Sequence, residues 1–458
     1  MTFNLFSYKF NNTFDPMKSL YCTKVMVLCD FSILYFYNEI RNTTGCVDII
    51  KARSGYKLGI RVEIFERMKC KTLNMDYMFG FRFIGPFDNA ILNSIFLNAA
   101  DSYKSDIFSP YSFCVVFCVL LQITEGNTKK SLLKIIESSG LTLDDSFYKD
   151  MSKNFKSLVS ECTQIGINNF LCHDQNVKID VLLKKTNKQF NVEEVIIDFK
   201  ENYNAIEVVG DVISDKTCNL FSNFFSPKVV KPLYLINTVY FKGAWLNQFN
   251  SKDTSFKNFY NNTNTCKVPM MKQKGVFKYI YADGLNFLRI DLKGCIDSLC
   301  LIIVLPDTDI YISELLYVIY QSEFKRLITG ECSSYNVDLE MPKFKIETEC
   351  NLNNVFKKFL ESDLMDKDLD LGVESKSLES TKINVRQETV IEFTESGICT
   401  NVKYSKNKST IIGTKNIYYH CNRPFVFFLF DTRYPLIEDF EGLLISAFPI
   451  LVGRYTGQ

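Results

Sequence analysis

The residue types that most often carry catalysis are sparse in this sequence and do not occur at catalytic spacings. The chain has two histidines, His173 and His420, and neither has a second metal ligand or a base at motif spacing. Histidine-based catalysis and histidine-rich metal sites are therefore not expected. The sequence also lacks a Ser/His/acid order, a glycine-rich phosphate loop and a paired-carboxylate motif, so it does not predict an enzyme.

Two other groups of ligand-type side chains have structural explanations. Four aspartates lie between residues 363 and 370, but this segment lacks the glycine and the terminal glutamate of a calcium loop. The 16 cysteines are scattered without a CxxC pair, which argues against zinc ribbons and thioredoxin-type motifs. Cys114 and Cys118 lie in an apolar run, where free cysteine behaves as a small buried hydrophobe. We therefore expect mostly reduced thiols, no metal and no cofactor.

The composition is that of a folded protein without a strong net electrostatic field. Hydrophobic residues make up 47% of the 458 residues and charged residues 23%, so the chain can bury a large core. The net charge of +1 gives no field that would recruit nucleic acid. The apolar stretch 20–37 contains Lys24 and Asp30, and the run 299–305 is too short to span a bilayer. We expect neither a nucleic-acid partner nor a membrane partner.

The chain falls into two parts with different patterns. Residues 1–84 show no clear helical or strand period and are interpreted as an N-terminal extension of unknown structure. From residue 85 to 458, helical and strand patterns alternate, which favours a single mixed α+β domain. Helices are predicted at 87–99, at 110–123 and after an N-cap at Asn127-Thr128, with a stop at Gly140. Strands are predicted at 192–199, 233–241, 299–305, 337–346 and 388–395, with two more within 425–450.

Several short motifs in the second part occur in the order and at the separations of one known family. In chain order they are IFSPYS from Ile107, GNT from Gly126, NTVYFKGAW from Asn237, VPMM from Val268, LEMPKF from Leu339, VIEFTESG from Val390 and NRPFVF from Asn422. Over about residues 85–450 the sequence resembles the serpin family. The first 84 residues lie outside this resemblance.

The resemblance implies three β-sheets, eight or nine helices and an exposed reactive loop at about residues 397–421. In inhibitory serpins a target protease cleaves this loop and stays acyl-linked to it, and the loop inserts as an extra strand into the main sheet. The native state is metastable, so its persistence is kinetic. The resemblance thus implies a suicide inhibitor of serine or cysteine endopeptidases, and we expect a monomer. A non-inhibitory binding, carrier or storage protein is the alternative.

The residues after Gly397 alternate as an inserting strand requires. One face is apolar, β-branched or aromatic, and the other is small or polar. The first face consists of Ile398, Thr400, Val402 and Tyr404. The second face consists of Cys399, Asn401, Lys403 and Ser405. Inhibitory serpins carry a Thr or Ser and then alanines at these hinge positions. The bulkier residues here are expected to slow insertion, and slow insertion favours hydrolysis over trapping.

The scissile bond is predicted near Ile411, Ile412 or Gly413. Counting forward from Gly397 with the family's spacing gives the bond between the two isoleucines. Counting back from Pro424 places it after Gly413 instead. The isoleucines favour a chymotrypsin- or elastase-like target, whereas the neighbouring lysines would suit a trypsin-like pocket.

The resemblance also implies two groups of residues that control opening of the main sheet. Ser109 and Asn237 match a hydrogen-bond cluster beneath the sheet, and Gln387 stands where the family has a histidine. Because glutamine both donates and accepts, it can replace that histidine in a network. Buried polar groups satisfied within an ordinary core explain the same residues equally well.

The second group lies where the loop joins the sheet. Glu395 and Lys343 match a family ion pair at this point. Trp245, the single tryptophan, falls at the family's position in the same region. An exposed ion pair contributes only about 0–1 kcal/mol, so the pair is expected to matter only where it is partly buried.

Four N-x-S/T triplets bear on the compartment. They begin at Asn11, Asn42, Asn261 and Asn407 and favour an extracellular, glycosylated protein. The first residues do not show the basic start, apolar middle and small-residue cleavage site of a signal peptide. A cytoplasmic location is therefore the alternative.

Overall fold

The structure is a computed structural model in which 20 stretches of the chain are described. These are residues 5–9, 26–29, 32–35, 46–50, 104–137, 152–153, 155–160, 165–175, 188–197, 202–221, 233–261, 264–293, 299–308, 322–360, 368–370, 382–398, 416–432, 437–438, 444–445 and 449–457. The chain divides into two compact units, Met1–Met78 and Phe79–Gln458. The helix predicted at 87–99 lies outside the described residues.

The first unit contains two small antiparallel ladders. Strand β1 (Leu5–Lys9) pairs with β4 (Cys46–Ile50), and β2 (Met26–Cys29) pairs with β3 (Ser32–Tyr35). The sequence showed no strand period here, so these four strands were not predicted.

Besides helical residues at 152–153, 155–160 and 188–190, the second unit has five helices with both ends described. They are α1 (Pro110–Ile123), α2 (Gly126–Glu137), α3 (Asn202–Lys216), α4 (Ser322–Thr329) and α5 (Leu352–Leu360). The predicted helix at 110–123 is confirmed. Ser109 caps it, because its side chain accepts a hydrogen bond from Ser112 N, and Pro110 suits the first turn, where its missing N–H leaves no bond unmade.

The N-cap predicted for the next helix is wrong. Helix α2 begins at Gly126, so Asn127 and Thr128 lie in its first turn. Asp370 takes the capping role: its carboxylate accepts from Asn127 N at 2.8 Å, and its backbone N–H donates to Thr128 Oγ1 at 2.9 Å. A carboxylate at a helix N-terminus satisfies free N–H groups and suits the helix dipole. Asp370 belongs to the acidic stretch that the sequence analysis examined for calcium.

The described strands of the second unit form two groups. Sixteen of these strands belong to one hydrogen-bonded network. The strands of this network are β5 (Asp106–Phe108), β6 (Ile165–Asp174), β7 (Val192–Ile197), β8 (Leu233–Phe241), β9 (Gly243–Trp245), β10 (Ser255–Tyr260), β11 (Thr265–Ala282), β12 (Leu285–Lys293), β13 (Leu299–Pro306), β14 (Ser334–Pro342), β15 (Phe344–Asn351), β16 (Ile383–Phe393), β17 (Gly397–Ile398), β18 (Asn416–His420), β19 (Phe425–Asp431) and β22 (Pro449–Tyr455). A separate hairpin joins β20 (Ile437–Glu438) to β21 (Leu444–Ile445).

We call the run β7-β6-β8-β16-β15 the main sheet. Its central strands β8 and β16 are parallel, whereas β6 is antiparallel to β8 and β15 is antiparallel to β16. One face carries Leu235 and Val385, which belong to the same buried cluster as the side chains of α1. The other face carries Ile236, which packs in a second cluster with Ile213 of α3. A sheet covered on both faces is apolar on both sides.

The antiparallel run β12-β13-β19-β22-β5 continues the network and holds most of the core's aliphatic and aromatic side chains. Every residue of β13 and β19 is buried. The predicted α+β class, the strand at 233–241, the strand near 299–305 and the first of the two apolar strands predicted within 425–450 are confirmed, whereas the second, β22, runs past that segment to Tyr455. The resemblance implied three sheets. In the structure these strands form one network, because some strands pair with neighbours in more than one sheet.

Three predicted boundaries change. The strand predicted at 388–395 is β16, which begins earlier, at Ile383, and ends at Phe393. The strand predicted at 337–346 is two strands, since β14 ends at Pro342 and β15 begins at Phe344. Between them Lys343 leaves the ladder, and its N–H donates to Pro269 O at 2.8 Å as the chain passes to the main sheet. The loop expected at about 397–421 overlaps strands at both ends: residues 397–398 form β17 and residues 416–420 form β18.

Candidate functional site

The hinge at the end of β16 is a closed turn rather than the start of an exposed loop. Thr394 N donates to Gly397 O at 2.7 Å, Gly397 N donates to Thr394 O at 3.2 Å, and Thr394 Oγ1 adds a third bond to Gly397 O at 2.8 Å. Gly397 has a φ of 154°, which L side chains rarely adopt. The turn directs Ile398 back along β16, where it stands opposite Phe393 and is fully buried.

The short strand β17 lies between two strands of the network. Gly397 pairs with Ala244 and Ile398 with Gly243 on β9, which follows β8 after one residue. On its other side β17 pairs with β16. Further along, β8 and β16 contact each other directly, as Gln387 opposite Asn237 illustrates. Strand β17 is therefore a two-residue strand that lies between β16 and β9, next to the point where the direct pairing of β8 with β16 ends.

Trp245 holds this turn in place from the β9 side. Its indole Nε1 donates to Thr394 O at 2.7 Å, and its backbone N donates to Ser396 O at 3.2 Å. The ring is fully buried and packs edge-on against Phe249, with Phe393 tilted beside it at 5.8 Å. The sequence assigned Trp245 to this region, and the structure brings it into contact with the hinge.

Glu395 and Lys343, matched from the family pattern, form an ion pair in the hinge turn. Lys343 Nζ lies 2.9 Å from one carboxylate oxygen of Glu395, and Thr254 Oγ1 donates to the other at 3.0 Å. Burial raises the pKa of Glu395, but hydrogen bonds from Lys343, from its own backbone and from Thr254 outweigh it, so the net pKa is below the ordinary value. With the carboxylate 17% exposed and the lysine 42% exposed, the pair is partly buried.

A buried polar cluster lies beneath the middle of the β8–β16 boundary. Gln387 Oε1 accepts from Ser109 N at 2.7 Å, and Gln387 Nε2 donates to Ser109 O at 3.0 Å. Ser109 Oγ donates to Ile450 O at 2.7 Å, so this side chain is directed away from Asn237. Gln387 thus ties β16 to the N-terminus of α1 through both backbone groups of one residue.

The link to Asn237 runs through two residues that sequence reasoning missed. Ser112 Oγ donates to Asn237 Oδ1 at 2.8 Å, and Asn237 Nδ2 donates to Asn169 Oδ1 at 2.9 Å. All of these groups are fully buried, as is expected only of satisfied polar side chains. Ser112 lies three residues after Ser109, one helical turn away, and this spacing was the signal that could have indicated it.

Glu388, the residue after Gln387, was also missed. It points to the opposite face of the sheet, is 2% exposed, and lies between Thr238 on β8 and Glu349 on β15. Its Oε2 has no hydrogen-bond partner within the described part of the chain. Burial, together with the neighbouring charge of Glu349, raises the pKa of the Glu388 carboxyl to about 9, against a smaller opposing effect of Arg386.

On the other side of the loop, strand β18 is fixed to β14 in parallel register. Cys421 N donates to Glu340 O at 2.8 Å. The Glu340 carboxylate accepts from Lys257 Nζ at 2.6 Å and from Lys272 Nζ at 3.2 Å. Burial raises the pKa of Glu340, but these lysines outweigh it and the net pKa is lowered. An ionised cluster therefore anchors the C-terminal flank.

The remaining predicted loop residues lie outside the described residues. These are Thr400 and Val402 of the hinge and the scissile-bond candidates Ile411, Ile412 and Gly413.

Within the described ranges, no group of three His, Cys, Asp or Glu side chains is arranged to hold a metal ion. None of the described helices combines the length and the apolar character that a membrane span requires. The nine described cysteines of the second unit are free thiols. Cys114 and Cys118 are buried, as predicted, and burial raises the pKa of Cys118 to about 12.

Comparison with known proteins places this geometry in a family. A family model described as serpin (serine protease inhibitor) matches residues 94–437. Antichymotrypsin-2 of Bombyx mori is 29% identical over 337 residues, covering 71% of this chain and 88% of that protein. The corticosteroid-binding globulin of Sus scrofa is 25% identical over 344 residues, covering 72% and 83%.

The fold agrees with a crystal structure of native protease nexin-1 with heparin. The TM-score is 0.65 at 20% sequence identity, and the match covers 81% of this chain and all of that one. Because the family model spans most of the chain and the strands follow the fold of a solved relative, this protein belongs to the serpin family.

Proposed function

We propose that this serpin inhibits serine endopeptidases as a suicide substrate and does not act as an enzyme itself. The segment between β17 and β18 would be cleaved near Ile411-Ile412 and would then extend β17 as a new strand between β8 and β16. The observation that carries this proposal is β17 itself, because Ile398 already pairs with a strand on each side and Gly397 pairs with β9.

The pairing of β17 defines where an extended strand would lie. Ile398 lies between Phe393 on β16 and Gly243 on β9. The sequence separation between Phe393 and Gly243 equals that between Gln387 and Asn237, which pair directly in the β8–β16 ladder. The two registers are therefore in phase, and the strand could continue without a bulge.

In this register alternate loop residues face α1. Thr400 would stand between Phe241 and Ile391, Val402 between Val239 and Thr389, and Tyr404 between Asn237 and Gln387. The face of β8 and β16 that they would join is apolar or hydrogen-bonded to α1. The apolar alternation in the sequence thus fits the covered face of the sheet.

A second candidate, a non-inhibitory serpin, is favoured by two lysines. In the same register Lys406 would stand between Leu235 and Val385, and Lys408 between Leu233 and Ile383. These four aliphatic side chains are at most 2% exposed. An unpaired ammonium group in such surroundings costs several kcal/mol. Insertion would then stop after Tyr404, and the acyl link would hydrolyse.

Protease incubation followed by denaturing gel electrophoresis separates the two functions. Chymotrypsin-, elastase- and trypsin-like proteases are incubated with the wild type and with Lys406→Ala/Lys408→Ala. The control is Ser405→Ala/Asn407→Ala, which alters the opposite face, and all proteins are expressed in bacteria so that no glycan is present.

A stable band of inhibitor plus protease from the wild type supports inhibition. A band only from the lysine variant supports the non-inhibitory serpin and assigns the block to these lysines. Clean cleavage of all three proteins, with no adduct from any protease, rejects the inhibitor.

The target class and location are further proposals. Ile411 and Ile412 support a chymotrypsin- or elastase-like target, and the mass of the released C-terminal peptide measures the bond cleaved. The N-x-S/T triplet at Asn261 lies after β10 and supports an extracellular, glycosylated protein. A glycan mass on natural Asn261 tests that location. Sedimentation tests the expected monomer.

A further inference from the structure

A pocket with a volume of about 90 Å³ lies where β11 pairs with β12 and β14. Its walls come from these three strands and from Leu246 and Asn247, which follow β9. A cavity of about 10–15 Å³ can hold one water molecule, so this pocket has room for a ligand of several heavy atoms. We call it the Lys278 pocket, after the residue that its middle strand contributes.

Three donor side chains form a row across the pocket. Lys278 on β11 stands opposite Arg289 on β12 and opposite Ser334 on β14. Like charges directly opposite each other destabilise a sheet unless a counter-charge is present. Arg289 has one, because its Nε donates to Asp291 at 2.7 Å.

Lys278 has no counter-charge of its own. It is half-buried, and among the described residues no hydrogen bond or ion pair joins its ammonium group to an acceptor. The side chains of Ser334 and Asn247 likewise make no hydrogen bond within that part of the chain. Three side chains that line one pocket thus have hydrogen-bonding capacity left for a ligand.

The end of α4 does not account for Lys278. Cations are favourable at a helix C-terminus, where carbonyl groups lack partners. Here Arg289 Nη1 donates to Leu327 O at 2.9 Å and to Ile328 O at 2.7 Å. Gly330 N donates to Leu327 O at 3.2 Å. The helix end is therefore satisfied by other groups, while Lys278 Nζ lies against Gly330, where a side chain would clash with it.

We propose that the Lys278 pocket binds a small organic carboxylate. The carboxylate would accept charge-assisted hydrogen bonds from Lys278 and further bonds from Ser334 and Asn247. Leu246, which is 40% exposed, and Val276 offer an apolar wall for a short hydrocarbon body. Such a mixture of apolar wall and a few convergent donors is typical of small-molecule sites.

The charge of the pocket selects a monoanion. Two cations, Lys278 and Arg289, and one anion, Asp291, belong to its described lining, so the net charge of that lining is +1. A doubly charged phosphate would be repelled by Asp291 more strongly than a carboxylate would be. The pocket therefore favours carboxylates over phosphates.

The pocket also adjoins the single tryptophan. Leu246 and Asn247 directly follow Trp245, and Leu246 N donates to Asp291 O at 3.2 Å. A ligand that joins Asn247 to Lys278 would restrain this segment. The fluorescence of Trp245 should therefore change when the pocket is filled.

Calorimetric titration of the intact protein, with Trp245 fluorescence as a second readout, tests the site. The probes are sodium benzoate and sodium butyrate at constant ionic strength, with inorganic phosphate for comparison. The variants are Lys278→Gln, Lys278→Arg and Ser334→Ala. The matched control is Lys274→Gln, because Lys274 lies on the same face of β11 but outside the pocket, with its Nζ 3.2 Å from Asp338.

We expect benzoate to bind saturably with a Kd on the order of 1 mM. Lys278→Gln should weaken binding about 10-fold to 100-fold, the loss expected for a hydrogen bond to a charged group. Ser334→Ala should weaken it about threefold to tenfold, as expected for a neutral hydrogen bond. Lys278→Arg should retain part of the affinity, Lys274→Gln should match the wild type, and phosphate should bind more weakly than benzoate.

Three results would overturn the proposal. Absence of saturable binding of both carboxylates to the wild type refutes the site. Equal affinities of Lys274→Gln and Lys278→Gln, or of the wild type and Ser334→Ala should Lys278→Gln not fold, would place the ligand elsewhere. Tighter binding of phosphate than of benzoate refutes the carboxylate class. Because these titrations use uncleaved protein and no protease, their outcome is independent of the proposed inhibition.

Discussion

The β13–β19 ladder and the β8–β16 ladder bury different kinds of side chain. The first is antiparallel, and along Leu299–Leu305 and Phe425–Phe430 it buries aliphatic and aromatic groups with Cys300. The second is parallel and buries Asn237, Gln387 and Glu388 in its middle. Both ladders have apolar neighbours. A shortage of apolar packing therefore does not explain the polar residues of the second ladder.

The difference shows which boundary can part. Separating β13 from β19 would expose apolar surface that no other described element could cover. Separating β8 from β16 would disturb polar groups that can exchange one hydrogen-bond partner for another. Loops that insert into a sheet need a boundary of the second kind.

The largest effect is expected from Leu301→Ala in the permanent ladder. Leu301 is fully buried opposite Leu429, and truncation should lower the free energy of unfolding by about 2–5 kcal/mol. Because β13 would take no part in the proposed opening, intact and nicked protein should lose equal amounts of stability in denaturant titrations. A loss confined to one form would remove the contrast between the two ladders.

Gln387→Leu should have the next largest effect, now on the β8–β16 boundary that the proposed insertion would open. It leaves Ser109 N without its acceptor, and a buried unsatisfied group costs about 1–3 kcal/mol. Gln387→His is the matched control, because histidine can bond in the same place. Equal stability of the leucine and glutamine proteins in urea titrations would show that the cluster does not hold the sheet closed.

The third prediction concerns pH and Glu388, which lies opposite Thr238 on β8 and Glu349 on β15 and two residues after Arg386 in its own strand. Its folded pKa of about 9 lies above the unfolded value of 4.5, so the folded state binds more protons between these values. Stability contributed by the protonated carboxyl is full below pH 4.5 and is lost as pH rises towards 9.

One proton corresponds to a slope of at most about 1.4 kcal/mol per pH unit. Intact protein should therefore lose stability from pH 6 to pH 8, and Glu388→Gln should flatten the change. Parallel curves for the two proteins would show that Glu388 titrates near its ordinary pKa.

The smallest effect on stability is expected from Glu395→Lys at the hinge. The Lys343 pair is partly exposed, so its loss should cost only about 1 kcal/mol or less. Its removal should nevertheless loosen the turn and promote polymers by loop exchange during mild heating, measured by size-exclusion chromatography. Glu347→Lys, which breaks the more exposed pair with Lys345, is the control. A monomeric Glu395→Lys protein would contradict a role of this pair in closing the sheet.

The fold was predictable where a single segment determined the structure. The largely apolar run at 233–241 and the apolar run at 299–305 predict covered strands, and Ser109-Pro110 indicates a helix start. Asp370 was not predictable as a cap, because the helix that it caps lies far away in sequence.

The candidate site shows the same limit. Trp245, Glu395 and Gln387 were predictable because a family pattern identifies them. Ser112 and Glu388 were not, since their roles depend on which strand or helix lies opposite. Strand β17 was also missed, because two residues carry no period and only the turn and its neighbours define them.

The two-residue length of β17 has a kinetic consequence for any loop that inserts. Bringing a chain end to a sheet and fixing its first dihedral angles is the entropically costly stage, since little bonding compensates for it. In this molecule such a nucleus is already formed, with Ile398 paired with Phe393 and fully buried. Under the proposed insertion, growth from it would be simple elongation, and its speed would depend on how fast β8 separates from β16 ahead of the inserting strand.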